Sequence, residues 1–354
     1  MKKFLYPLVA VLLIASACTE EEKSGDLTQE EAQAVITNMS QDMESDVIDM
    51  VESEGVEAVM SMADFLLETD ESVEFMRQGQ SPVDVTAMIS DIKGLGKAFA
   101  PKARRLKDVS PEEEEDFSFE ESLGIYVWND TEGYFEIEDE TVDFIEFRFP
   151  AEGSTTNNAS LFVYDLQQSE EELSAIDAAL KIDNEVVASV DLEIEYGQVL
   201  AANKISLDLF LKPFTYKVDV DDSAEKSSSV SVSIAKDDEV LTYVDLSVDF
   251  KSSLKLEATK VDGAIGYRTV EIKGDIDLAG IEAAEGERIN DYIDVKLYAE
   301  GSFVGDLELD ITTDEEIDIF VVYSDGTSES LLDLLAPVFD EIEDILVETS
   351  EEVI

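Results

Sequence analysis

Two twelve-residue stretches, EVVASVDLEIEY at 185–196 and EVLTYVDLSVDF at 239–250, align without gaps and decide the fold. An Asp-rich turn precedes each, Asp183-Asn184 in one case and Asp237-Asp238 in the other, of the kind that closes two-residue hairpins. Within the first stretch Val190, Leu192, Ile194 and Tyr196 alternate with Asp191, Glu193 and Glu195. That alternation is the period of an antiparallel strand with one buried face and one wet face. Carboxylates on the outward face also discourage edge-to-edge pairing. The shared Val-Asp-Leu at equivalent places argues for two copies of one unit, offset by 54 residues or about four strands. A fainter third copy is FVGDLELDI at 303–311.

The period of two holds over most of the chain beyond residue 123. It predicts strands at 124–128, 134–138, 144–149, 158–164, 178–182, 186–196, 204–211, 215–220, 229–235, 240–250, 254–259, 267–276, 293–299, 303–311 and 317–323. Ser324-Asp325-Gly326 then turns out of the last strand, Ser328 or Ser330 caps, and Pro337 restarts a helix with a stripe of Val338, Phe339, Ile342, Ile345 and Leu346.

Upstream of a charged, Pro-containing linker at 109–122, the segment 27–108 has the helical period instead. Thr28-Gln29-Glu30-Glu31 reads as a capping box, followed by apolar residues at Ala32, Val35, Ile36, Met39, Met43, Val47, Met50 and Val51. A second helix is predicted from about 56 to 67 with Val59, Met60, Ala63, Leu66 and Leu67, and a third from Ser81-Pro82 with Val85, Met88, Ile89 and Ile92. The methionines read as core filling. The fold class is therefore α+β, mainly β. A large antiparallel sheet at 123–348, built as a sandwich or half-barrel, carries an N-terminal helical segment and a C-terminal helix.

Residues 1–17 have a basic start at Lys2 and Lys3, an apolar run to Ile14, and Ala15-Ser16-Ala17 before the only cysteine, Cys18. This is the layout of a secretory signal peptide. Small residues before a single Cys resemble the lipobox of bacterial lipoproteins, with Ala15 where a branched residue is usual. The resemblance implies cleavage before Cys18, acylation of its thiol by palmitate-class chains, and anchoring in the outer membrane, since two or three chains hold stably. The acidic run Thr19, Glu20, Glu21, Glu22 within the tether 18–26 resembles the signal that exports Bacteroidota lipoproteins to the cell surface; a solvated spacer would also be rich in charge. Further on, Gly124-x-Tyr126-x-Trp128-Asn129, Phe147-Arg148-Phe149-Pro150-Ala151 and Thr155-Thr156-Asn157-Asn158-Ala159 resemble a set of uncharacterised Bacteroidota lipoproteins over roughly 120–346. In these a Tyr-x-Trp-Asn strand, a Phe-x-Phe-Pro strand and repeated long hairpins recur. The resemblance implies a shared architecture and no activity.

The net charge of −61 becomes −63 once Lys2 and Lys3 are cleaved away. Such a chain repels nucleic acid and bare anionic headgroups. There is no histidine, which removes the commonest general base, the Ser-His and Cys-His nucleophiles, and the usual zinc sets. Gly94-Leu95-Gly96-Lys97 lacks the preceding strand and the length of a phosphate loop. Carboxylates remain, but 85 of them nominate no catalytic pair, and no enzymatic role is expected. Asp219, Asp221 and Asp222, and Asp314, Glu315 and Glu316, offer hard oxygen ligands for Ca2+; neither cluster has EF-hand spacing, and solvated acidic turns account for both. Two functions survive. One is a non-catalytic binding or structural lipoprotein with an unidentified protein, glycan or lipid partner. The other is a carrier holding a lipid or other apolar ligand in a curved sheet.

Overall fold

The computed structural model describes residues 26–69, 119–168, 173–197, 202–284, 288–311 and 317–336. The chain divides into two compact units, Met50–Thr215 and a second drawn from Met1–Asp49 and Tyr216–Ile354. This division does not follow the helix-to-strand change near residue 110: each unit combines a helix with a block of strands. Strand is the dominant structure, almost wholly antiparallel, as the alternating pattern requires.

The Met50–Thr215 unit contains helix α2 (Glu54–Thr69) and strands β1 (Gly124–Asn129), β2 (Tyr134–Asp139), β3 (Ile145–Phe149), β4 (Ala159–Gln168), β5 (Leu173–Ile182), β6 (Glu185–Tyr196) and β7 (Ala202–Leu211). Their order is β2-β1-β3-β4-β5-β6-β7. The β1–β3 pair is parallel, with Tyr126 opposite Phe147, an exception to the antiparallel rule. It sets the residues of the Tyr-x-Trp-Asn and Phe-x-Phe-Pro strands into one aromatic cluster. Tyr126 stacks on Phe147 at 5.1 Å, Phe135 meets Phe147 edge-on at 5.2 Å and Trp128 at 5.3 Å, and Phe65 of α2 closes the group by stacking on Phe149 at 5.0 Å. Offset and edge-on pairs at such spacings contribute beyond their buried area. Tyr126, Phe147 and Phe149 are therefore core, and Trp128 is half-buried beside Phe135.

Helix α2 lies against β5, β6 and β7. Its buried positions are Gly55, Val56, Ala58 and Met62, whereas Met60, expected on the apolar stripe, is 59% exposed. The face is rotated because Gly55 makes the closest approach. Its amide donates to Lys212 O at 2.9 Å, and a Cβ there would fall 2.4 Å from backbone atoms of Leu211 and Lys212.

The second unit contains α1 (Gln29–Val51, whose last two residues belong to the other unit) and β8 (Phe214–Asp221, whose first two residues do likewise), β9 (Ser227–Lys236), β10 (Glu239–Phe250), β11 (Ala258–Tyr267), β12 (Val270–Asp277), α3 (Leu278–Ala283), β13 (Ile293–Ala299), β14 (Ser302–Ile311), β15 (Ile317–Tyr323) and β16 (Ser328–Ser330), then helix α4 over 331–336. From β8 to β16 the strand order is the sequence order. The capping box forms as its residue types require: Thr28 N donates to Glu31 Oε2 at 2.9 Å and Glu31 N to Thr28 Oγ1 at 3.3 Å. Ser330 caps α4, its hydroxyl accepting from Asp333 N at 3.4 Å.

Helix α1 crosses the strands at the end where their tight turns lie. Leu27 N donates to Phe303 O at 2.9 Å, Gln33 Nε2 to Glu329 Oε1 at 2.8 Å, and Asp49 pairs with Lys236 at 2.5 Å. Residues 29–49 span about 30 Å of helix. The five strand spacings from β14 to β9 span about 24 Å, so one helix suffices to cross obliquely. Ala32, Ile36 and Met39 of α1, together with Leu331, Leu334 and Leu335 of α4, bury the turn-proximal part of one sheet face, including Ile265, Tyr267, Val270 and Leu297.

The repeat is visible in backbone geometry three times. Two-residue turns at Asp183-Asn184, Asp237-Asp238 and Glu300-Gly301 all have positive φ at both positions, the conformation that matches strand twist. After each, the pairing register shifts by one residue, skipping Val187, Leu241 and Val304. All three skipped side chains are buried, 1%, 2% and 0% exposed. A bulge at the third residue after the turn thus sets an apolar side chain inward in each copy.

Two expected strands, 254–259 and 267–276, are corrected. Residues 251–257 form a loop, β11 runs Ala258–Tyr267, and Arg268-Thr269 is the turn into β12. Gly263 and Gly266 lower strand propensity over this segment. Gly263 is required sterically, because a Cβ there would meet Asp245 O at 2.3 Å and Leu246 Cδ2 at 2.7 Å.

Candidate functional site

The most concentrated polar chemistry lies at the turn end of the second unit. The Arg268 guanidinium holds the Asp46 carboxylate with both prongs, Nε to Oδ2 at 2.8 Å and Nη2 to Oδ1 at 2.7 Å. The Tyr267 hydroxyl donates to the same carboxylate. Asp46 is 3% exposed. Burial, and next the hydrogen bond to Asp46, hold the Tyr267 phenol well above its ordinary range. Burial opposes the charge on Arg268, yet its bonds to Asp46 and Tyr267 raise its affinity for the proton overall. Every group is satisfied, so the cluster offers no free base; it staples α1 to the β11–β12 turn.

The same arrangement recurs in the other unit at the matching repeat position. Lys212, in the turn after β7, pairs with Glu54 of α2 at 3.0 Å and with Glu185 at 2.7 Å. Arg268 likewise reaches Glu239, the counterpart of Glu185, at 3.9 Å. The backbone echoes this, since Lys212 N donates to Val187 O and Arg268 N to Leu241 O, both at 2.9 Å. A helix acid, a turn cation and a hairpin glutamate form a repeated motif, and sequence reasoning missed it because helix and turn are remote in the chain.

Asp219, Asp221 and Asp222 come at the far end of the strands. Asp221 Oδ1 accepts from Ser223 N at 2.8 Å and Oγ at 2.5 Å, an Asx turn. Asp222 binds Lys255 Nζ at 2.5 Å and accepts from Ser228 Oγ; the Lys255 bond, first, holds its carboxyl below the usual range. Among the described residues no three acidic, Cys or His side chains converge as metal ligands. Asp314, Glu315 and Glu316, and Cys18 with Thr19, Glu20, Glu21 and Glu22, lie outside the described residues.

Lys255 has a further effect. Its amine also donates to Asp222 O at 2.8 Å and Ser227 O at 2.9 Å, which pins the 251–257 loop inward at its centre. The flanking Leu254 and Leu256 point outward, 74% and 85% exposed. A Leu-Lys-Leu alternation gives the signature of a strand, which is why the sequence pattern misplaces it.

The two sheet faces of β8–β13 differ sharply. On one, Ser229 and Ser247, Ser231 and Asp245, and Asp262, Asp275 and Asp294 lie opposite one another across strands. On the other, Val232, Val244 and Ile265 share a row, as do Val248 and Val261. Rows near the turns are buried beneath α1, while Leu246, Val248, Val261, Ile276 and Ile293 beyond it are only half-buried. No protein-family model, curated protein or solved structure matches this chain.

Proposed function

We propose that this chain is a lipid-anchored outer-membrane lipoprotein, exposed at the cell surface, with a non-catalytic binding or structural role. The observation that carries the reading is Cys18 after Ala15-Ser16-Ala17, the only cysteine and placed at the end of an apolar leader. Its position agrees with the fold. The first described residue, Asp26, bridges to Phe303 at the turn end of the second unit. Seven residues lie between Cys18 and Asp26, so the two are at most about 28 Å apart along the chain. On this reading the turn end faces the membrane. The Leu254/Leu256 loop then faces away from it, since it lies at the other end of ten- to twelve-residue strands, about 35 Å on. At the sites above, Arg268 holds the Asp46 carboxylate and Lys255 that of Asp222, so neither is free to act as a base.

The test is metabolic labelling with palmitate. The native chain should take up label and fractionate with membranes, Cys18→Ser should do neither, and protease on intact cells should degrade the native chain. An unlabelled native chain would sink the anchor. Protection until permeabilisation would sink surface display alone. The half-buried apolar rows of β8–β13 favour a second reading, a carrier of a lipid or other apolar ligand; extraction of the purified chain with organic solvent and mass spectrometry checks it.

A further inference from the structure

The first unit carries a second aromatic cluster, on the face of its sheet away from the core. Along β4, Ala159 and Leu161 are buried at 1% and 9% exposure, and Phe162 alternates with them onto the other face. A bulge follows. Val163 pairs with Ala178 and Asp165 with Asp177, so that Tyr164 is skipped. The extra residue keeps Tyr164 beside Phe162 and brings Asp165 to the same face. The Phe162 and Tyr164 rings lie 5.7 Å apart and within 11° of parallel, and Phe144, just before β3, is 5.8 Å from the first and 6.3 Å from the second. Phe144 and Phe162 are half-buried and Tyr164 is 39% exposed. Core packing does not account for this group, since Phe65 of α2 joins the rings on the opposite face.

Polar groups border the rings. Gln167 Nε2 donates to Asp165 Oδ2 at 2.8 Å, a carboxamide and a carboxylate that each have further hydrogen-bonding capacity. Lys181 Nζ stands 4.2 Å over the Phe162 ring and closes that side. Opposite Phe162 on β3, Glu146 is 5% exposed, and Arg148 holds both of its oxygens at 2.8 and 2.9 Å. A carboxylate is buried here because the guanidinium compensates it, and the bidentate pair stiffens the floor beside the rings. Beyond β4 the same face carries Asp177, Asp191 and Asp208 in the row of Asp165, a field that repels anions.

The geometry points to a glycan-binding platform: a neutral sugar ring lies on Tyr164 and Phe144, and its hydroxyls bond to Asp165, Gln167 and Lys181. A pyranose fits this chemistry because its axial C–H groups meet the electron-rich ring face while its equatorial hydroxyls project to the polar border. An acyl chain would instead desolvate Asp165, Gln167 and Lys181 without replacing their bonds to water. The acidic row excludes uronic-acid and sulfated chains. This gives the proposed binding role a ligand class and rests on that role, not on the anchor.

Affinity electrophoresis of the mature chain carrying Cys18→Ser tests this, with amylose, dextran, laminarin, xylan or galactomannan in the gel and polygalacturonate as the anionic comparison. At least one neutral polysaccharide should retard the chain, and polygalacturonate should not. Tyr164→Ala should weaken the retardation about tenfold, the order that one aromatic contact contributes, whereas Tyr164→Phe should keep it. Gln167→Ala alters an exposed side chain and should weaken binding with an unchanged melting temperature, which separates lost contacts from lost folding. Retardation by none of the five neutral polysaccharides would overturn the inference. So would retardation that Tyr164→Ala leaves intact, or polygalacturonate binding as strong as any neutral chain. Because the tested chain carries no acyl group, these outcomes are independent of palmitate labelling: an unlabelled native chain would leave the platform standing, and a failed platform would leave the anchor standing.

Discussion

At the scale of single residues, burial separates two chemically similar ion pairs. Asp46 has lost nearly all contact with water, so Asp46→Asn would leave Arg268 short of its compensating charge. Such a break costs about 3 kcal/mol, to be read as a lower urea midpoint. Glu54 occupies the equivalent place against Lys212 but its side chain is 54% exposed. Glu54→Gln should leave the midpoint unchanged, since solvent screens exposed pairs. The pH dependence of two aspartates runs in opposite directions. Asp222 has a depressed folded pKa through Lys255, so its stabilisation is complete above the unfolded carboxylate pKa and is lost as pH falls through the folded one. Asp222→Asn should cost about 1 kcal/mol at neutral pH and nothing in strong acid. Asp177 is raised, by burial first and then by Asp191 and Asp165. Its charge is unfavourable, and the penalty appears as pH rises from the unfolded value through the folded one.

Whole elements explain why Asp177 is unusual. Cross-strand register sets Asp165, Asp177, Asp191 and Asp208 in one row over β4–β7. Like charges directly opposite destabilise a sheet. The corresponding row in the second unit, Asp262, Asp275 and Asp294, has Lys260 and Lys296 against it. Asp177→Asn should therefore stabilise by a few tenths of a kcal/mol at neutral pH, visible as a raised melting temperature that vanishes in acid. Helix α2 makes a steric prediction. Gly55→Ala places a methyl group against the backbone of Leu211 and Lys212, where neither atom can rotate away. Overpacking there should cost about 3 kcal/mol, measured by equilibrium unfolding.

Over the whole molecule, net charge decides how it responds to its medium. At −61 self-repulsion opposes the folded state, and screening relieves it within a Debye length of about 10 Å at 0.1 M salt. Thermal stability should rise as NaCl increases from about 10 mM to 0.5 M. Calcium at matched ionic strength distinguishes screening from binding: equal melting temperatures mean screening alone, and an excess with calcium means that carboxylates chelate the ion.

The strands, their alternation and the repeat were legible in the sequence because each is a local property. A period of two and an Asp-rich turn are written within twelve residues, and the capping box of α1 within four. Where locality failed, the pattern failed with it: Gly263 and Gly266 hid β11, and Leu254-Lys255-Leu256 imitated a strand while forming a loop. The helix-to-turn staples were illegible, because Asp46 and Arg268 are 222 positions apart. So was the outcome that Tyr126, Phe147 and Phe149 are core, since the parallel β1–β3 pair brings them together. Sequence by itself determined most of the strands, their wet and dry faces, and the placing of the single cysteine behind an apolar run. Only tertiary structure decided which helix covers which rows of the sheet, because that choice depends on which remote side chains can bury their charge and volume together.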